Sequence, residues 1–453
     1  MRIFGQFKGQ QLRARILRAL SSSLVGFGGT NVLRLLGNLA LTRLLFPEAF
    51  GLMALVSVFT TGLRMFCVLV SRSAVFRRPR GEEVDFLITA FSLKTLQGTF
   101  LALCTCAAAY PMSWIYGEPI LIDLLLIVAL NPFIAGFMTT RGITHARHLK
   151  LVMPMILSLC CLAGGLLITI YLAWQLQSVY ALAIGSLANT ILRVIAFRLF
   201  LPGIKNRPKF ERAAIGEIFG FGKFVFLSTM SSFLINQGDK AIFGIYVSLT
   251  LLGIYNIGHV LGALPLLLMR RLIHSVIFPL YRLRPPDKDP SNQRSLFKAR
   301  RLLVTGALGG NALMALISVD LIGIMFDDRY ALAGPMILMI GLASIPNIVF
   351  AGYTNALMAY GNTRRMFHVQ LATALSQIAY LFAGLIFLGF IGGLLAPALG
   401  AITTYPLLRR FVMPYKALDE KADMGFLAAG FSLHALICWY HWPALTALAE
   451  AGV

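Results

Sequence analysis

Apolar and polar positions in this chain alternate on the scale of whole helices, not of single residues. Apolar stretches of roughly 17–25 residues are long enough for a helix to cross a ~30 Å hydrocarbon layer. They fall at about 22–45, 48–71, 86–110, 119–140, 151–174, 178–201, 218–240, 249–273, 302–326, 333–357, 367–390 and 392–413, with a weaker thirteenth at about 424–442. None keeps a period-two alternation, so the pattern predicts membrane helices and speaks against a β-barrel. The connections are short. The longest hydrophilic piece, about 276–300, holds the run 285–290 with its three prolines and is expected as a loop. No folded domain is expected outside the membrane.

Composition agrees. Of 453 residues, 58% are hydrophobic and 13% charged, about half the charge of an ordinary soluble protein, and the mean hydropathy is +0.78. The net charge of +22 reads as nucleic-acid binding only until its distribution is examined. Of 40 lysines and arginines, 32 lie in the N-terminus and the loops after even-numbered spans, three in the opposite loops, and five inside spans. Such an asymmetry is the positive-inside pattern. It predicts a multi-pass protein of a bacterial inner membrane with a cytoplasmic N-terminus and no nucleic-acid partner. The basic first ~20 residues precede a run long enough to remain as a helix, so no cleaved signal peptide is expected. All six cysteines lie in apolar runs without metal-ligand spacing and read as packing residues.

The halves resemble each other. Residues 44–55 around the first hairpin echo 246–257, and 131–136 echo 346–352. Six spans separate each pair, so the halves share one orientation, as in parallel-repeat transporters. The predicted fold class is therefore an all-α polytopic membrane protein. Its expected parts are a six-helix lobe at 1–213, a second at 214–417, and an extra helix and tail at 418–453, with a basic linker at 202–217.

Five cations break the loop pattern: Arg34, Arg64, Lys94, Arg193 and Lys223. A cation at mid-span costs roughly 2.5–3.5 kcal/mol on insertion scales. Arg64, Lys94, Arg193 and Lys223 lie about 8–13 Å from a basic helix end at 1.5 Å per residue, where a long side chain can snorkel. Arg34 is near mid-span and shares a helix face with Asn31, Asn38 and Thr42. Ser57, Thr61, Arg64 and Ser71 form a similar stripe, as do Ser228, Ser232, Asn236 and Asp239. Such stripes face either a packed neighbour or a water-filled cavity. A cavity with surplus arginine suits phosphate, pyrophosphate or acidic sugars. Asp123, Asp239 and Asp320 are candidates for coupling to a proton or Na⁺, or ordinary interfacial charges. No nucleotide-binding Gly-rich loop ending in Lys-Ser/Thr occurs, and neither a cofactor nor a metal is called for.

Residues 41–55, together with Phe221–Leu227, Asn236–Gly244, Leu252–Asn256 and Phe278–Tyr281, resemble the Wzx-type polysaccharide-unit flippases of the multidrug/oligosaccharidyl-lipid/polysaccharide exporter superfamily. The resemblance covers about residues 15–415. It implies two six-helix lobes, 12–14 spans and a V-shaped cationic cavity. It also implies passage of an undecaprenyl-pyrophosphate-linked oligosaccharide to the outer leaflet while its lipid tail stays among membrane lipids, and a polysaccharide polymerase as a partner. Arginines of spans 1, 2 and 8 lie near the pyrophosphate in such proteins. Arg34 and Arg64 match the first two, whereas Arg270 stands at the basic end of span 8 and matches less well. A lipid II-type flippase and a drug or cation antiporter of the same superfamily are the alternatives. The histidines are scattered and no large external loop occurs, so a transporter is expected rather than an enzyme.

Overall fold

Helices form where the apolar stretches predict them. The computed structural model describes residues 9–66, 84–147, 152–203 and 223–451, and no strand occurs among them. In the first half α1 is Gly9–Leu44, α2 Pro47–Phe66, α3 Val84–Tyr116, α4 Ile120–Gly136, α5 Arg141–Arg147, α6 Val152–Leu176 and α7 Tyr180–Phe200. In the second, α8 is Lys223–Tyr246, α9 Leu249–Gly262, α10 Leu264–Leu272, α11 Phe278–Leu283, α12 Pro290–Met325, α13 Ala333–Val349, α14 Tyr353–Ala359, α15 Thr363–Val412, α16 Glu420–Tyr440 and α17 Trp442–Ala451. Nine helical segments among the described residues are long and apolar enough to span a membrane, and α15 makes two passes. Its reversal is at Gly389, whose φ of 62° and ψ of −152° suit only glycine. The two arms then pair as a hairpin through Thr373–Thr404 and Tyr380–Thr403 bonds of 3.1 and 2.8 Å. The chain is a multi-pass membrane protein.

Two compact units result: residues 1–45 with 59–222, and 46–58 with 223–453. Within the first, α1 packs on α6, α3 on α4, α4 on α7 and α6 on α7. The second repeats this scheme, with α8 on α15, α12 on α13 and α13 on α15. Small residues let the backbones meet, as expected where lipid supplies no hydrophobic drive. A Cβ at Gly98 would stand 2.4 Å from the Pro132 carbonyl oxygen.

The start of α2 belongs with the second unit because the two echoing hairpins touch there. Pro47 opens α2 and Ser248 caps α9, its Oγ accepting from the Leu251 amide. A Cβ on Gly51 would lie 2.2 Å from the Leu249 carbonyl oxygen, and one on Gly253 1.9 Å from that of Pro47. Thr250 Oγ1 donates to Glu48 Oε1 at 2.6 Å, and Phe50 meets Tyr330 edge-on at 6.0 Å.

Two expectations are corrected. Residues 276–300 are not a loop. Helix continues to Leu283, and α12 starts at Pro290 behind Asp289, whose carboxylate accepts from the Ser291 amide at 2.8 Å. That bond holds the Asp289 carboxyl below its usual range. Proline tolerates the first helical turn, so the proline-rich run marks a helix start. Arg300, counted among loop cations, is instead buried at 1% exposure, and its Nη1 lies 2.7 Å from Asp423 Oδ1. Its guanidinium also donates to the Val349 carbonyl and covers Tyr353 at 4.2 Å. Beside it, Arg301 is bidentate to Asp419 at 2.7 and 3.0 Å, and Arg409 to Glu420 at 2.7 and 3.2 Å. Three carboxylates at the start of α16, where the helix dipole favours negative charge, thus anchor this thirteenth span. Farther along, His434 Nε2 accepts from Asn311 Nδ2 at 3.2 Å while Nδ1 faces the Gly430 carbonyl at 3.1 Å, which requires the neutral Nδ1–H tautomer. The second correction is Lys240. It is not in a connection, because α8 runs on to Tyr246 and Lys240 Nζ donates to Asn256 Oδ1 of α9 at 2.8 Å.

Overpacking costs about 1–3 kcal/mol, so Gly253→Ala is expected to lower the thermal unfolding midpoint of the detergent-solubilised protein, and an unchanged midpoint refutes the close contact. Breaking a buried ion pair costs about 3–5 kcal/mol. Arg300→Ala should therefore destabilise far more than Arg301→Ala in the same assay, with the double change Arg300→Met, Asp423→Leu recovering much of the loss.

Candidate functional site

In the first unit, α1 turns its glycines to α6. A Cβ on Gly26 or Gly37 would meet Met155 at 2.7 Å or Leu166 at 2.5 Å. Arg34 lies off this face and is exposed, with half-buried Asn31 and Asn38 beside it. Asn31 Nδ2 donates to the Phe27 carbonyl at 2.8 Å, leaving its amide oxygen available. Arg64, also exposed, folds along α2 onto the Thr60 carbonyl and Thr61 Oγ1 at 3.3 and 3.1 Å. Lys94 Nζ lies 3.5 Å from the Met138 carbonyl, just past the end of α4, where a cation complements the helix dipole. Arg193 is exposed, its guanidinium 5.6 Å above Phe197 of its own helix. These four cations stand on four different helices. Lys223 begins α8, and its side chain lies outside the described residues.

The three acids separate. Asp123 is exposed and accepts from Tyr180 at 2.8 Å, and Asp320 is exposed on α12. Asp239 is buried between α8 and α9. Its Oδ2 accepts from the Tyr255 hydroxyl, His259 Nε2 stands 4.0 Å away, and Oδ1 has no hydrogen-bond partner among the described residues.

The stripe along α8 leads to a cavity of about 300 Å³ within the second unit. Ser232 and Asn236 of α8, Arg270 of α10, Asn347 of α13, and Gln370 and Thr373 of α15 contribute to its wall. None of the described residues that line it is Asp or Glu. Arg270 Nη1 donates to Asn236 Oδ1 at 2.8 Å, which leaves most of its five donors without a partner among the described residues. Sequence alone left this arginine in doubt because Arg270-Arg271 reads as the end of a span. The helix continues. It is broken at Ala263 ahead of Pro265 and passes through a π-helical turn at Ile273–Ile277. Breaks of this kind follow from proline and π-turns, and this one leaves Arg270 and His274 within the span at the cavity wall. Pro265 was the signal that could have placed it.

Known proteins narrow what such a membrane protein is. Residues 40–334 match a family described as polysaccharide biosynthesis protein. The chain belongs to this family. The amylovoran biosynthesis protein AmsL of Erwinia amylovora is 22% identical over 262 residues, which are 56% of this chain and 66% of that relative's length. Among solved structures, the lipid II flippase MurJ in an inward closed conformation superposes with a TM-score of 0.70 at 14% identity, covering 94% of this chain and all of that one. An inward-facing multidrug resistance transporter of the MATE family and MOP superfamily gives 0.62 at 13% identity over 86% of this chain and 96% of its own. The polysaccharide biosynthesis protein described here thus has the fold of flippases and transporters of the MOP superfamily.

Among the described residues, Arg34 and Arg64 make no hydrogen bond or ion pair that holds one helix to another. Arg34→Ala and Arg64→Ala should each change stability by no more than about 0.5 kcal/mol, whereas Lys94→Ala, which uncaps α4, should cost about 1 kcal/mol. Thermal unfolding of the purified variants distinguishes a placed cation of this kind from a structural one.

Proposed function

We propose that this protein is a non-hydrolytic flippase that carries an undecaprenyl-pyrophosphate-linked oligosaccharide unit from the cytoplasmic to the periplasmic leaflet of a bacterial inner membrane. The observation that carries this reading is the cavity with Arg270 as its permanent charge and no carboxylate among the described residues that line it. A guanidinium donates to two phosphate oxygens through its planar fork, and a cationic drug finds no counter-charge there. Arg34, exposed on a polar face of α1, offers the first unit the same chemistry. Membership of a polysaccharide biosynthesis family supports a sugar-bearing cargo. The basic connections support a cytoplasmic N-terminus. Asp239, buried and with one oxygen unpartnered, is better suited to bind a coupling proton or Na⁺ than the exposed Asp123 or Asp320. The protein carries out no covalent chemistry in this reading, and a polysaccharide polymerase receives its product.

In cells that depend on this protein, Arg34→Ala and Arg270→Ala should reduce surface polysaccharide and raise lipid-linked units on the cytoplasmic side, at unchanged protein level. Lysine at either position should restore export in part, since it keeps the charge but loses the fork. Normal export by both alanine variants refutes the anion site.

A further inference from the structure

The cavity of the second unit offers more than a guanidinium. Around Arg270, amides and hydroxyls share the wall with apolar residues such as Ile273, Phe350 and Val369, and those polar groups are expensive in a membrane helix bundle unless a hydrophilic guest or water meets them. Several of these groups have no hydrogen-bond partner among the described residues. The Asn355 side chain makes no hydrogen bond among the described residues, and Gln370 Nε2 makes none although Ser228 donates to its Oε1. Asn347 donates Nδ2 to the Pro397 and Ala343 carbonyls at 3.2 and 3.4 Å, which leaves its Oδ1 available. The elements that present them are fixed. Phe350, also in the wall, stacks on Tyr405 at 4.4 Å, and Gly352 begins α14 with φ of 95°, a left-handed conformation that turns the chain so that Asn355 joins the wall.

We propose that this cavity is a sugar-ring subsite, in which Asn355, Gln370 and Asn347 take the hydroxyls of the sugar next to a phosphate held by Arg270. The assignment rests on the reading of the protein as a carrier of lipid-linked sugar phosphates. A sugar hydroxyl both donates and accepts, and an amide side chain offers both at one site, so amides and threonines suit a polyol. An acyl chain would leave them unsatisfied. A bare phosphate would use the guanidinium and leave the amides idle. At about 300 Å³ the cavity stands at the small end of ligand sites, a volume of roughly ten waters. It holds one ring and not a chain of them, so the subsite reads the reducing-end sugar and leaves the rest of the oligosaccharide unread.

The test is ligand-observed NMR titration of the purified full chain in lipid nanodiscs. The probes are inorganic phosphate, free hexoses, and the 1-phosphates of glucose, galactose and mannose. At least one hexose 1-phosphate should bind about tenfold tighter than inorganic phosphate, a difference of about 1.4 kcal/mol. Asn355→Ala, which removes no hydrogen bond among the described residues, and Gln370→Ala should abolish that gain and leave phosphate binding unchanged. Hexose 1-phosphates that bind no better than phosphate overturn the sugar subsite and leave the anion site standing. So does a gain that survives both substitutions. A free hexose that binds in an Asn355-dependent manner while phosphate does not bind supports the subsite and removes the anion site. Failure of every probe to bind overturns both.

Discussion

Inside a hydrocarbon layer a polar group has no water to turn to, so each one must be paired within the bundle or face a hydrated cavity. That constraint organises this protein. Arg300 is tolerable in a buried setting because Asp423, the Val349 carbonyl and the Tyr353 ring surround its guanidinium. Lys240 is tolerable because Asn256 faces it. Asn131 is held by donation to Ser186 and by acceptance from Thr190, at 3.0 and 2.8 Å. Against this background of paired groups, the cavity around Arg270 is the place in the second unit where amides and a guanidinium keep unused capacity.

The same constraint shapes the backbone. With little hydrophobic gain between helices, contact depends on close approach and on carbonyls that find donors. Gly51 and Gly253 supply the first at the point where the repeated hairpins meet. Thr95, donating to the Gly136 carbonyl at 3.1 Å, supplies the second at the end of α4. Both positions belong to the internal echoes of the sequence. Repetition in sequence here marks where helices cross, not where a ligand binds.

Much of the fold was legible in the sequence because a 20-residue apolar run has few alternatives in a membrane. The spans, the repeat and the thirteenth helix all follow from it. Misreadings fell where polar residues are buried by pairing. Hydropathy ended span 7 at Lys240 and began span 9 after Arg301, since a residue scale registers the cost of a charge but not its partner. Asn256 is 16 positions away from Lys240, and Asp423 is 123 from Arg300. The polar stripe of α8 was readable by its periodicity, and it does lead to the cavity. Asn347, Asn355 and Gln370 were not, because they stand on three separate helices and only the tertiary fold brings them to one wall.

The placement of Arg270 shows how a broken helix serves such a site. An unbroken span 8 would present one ridge to its neighbours. The interruption at Ala263 and Pro265, followed by the π-helical turn, shifts the phase of the side chains beyond it. Arg270 then reaches Asn236 across to α8, and His274 lines the same wall. A guanidinium anchored by a neutral amide keeps its full charge, whereas one anchored by a carboxylate would be neutralised before any ligand arrived. Arg300 and Arg270 thus illustrate two settings of one side chain: the first is matched to Asp423 and holds the bundle together, and the second is held by Asn236 with no carboxylate among the described residues that line its cavity.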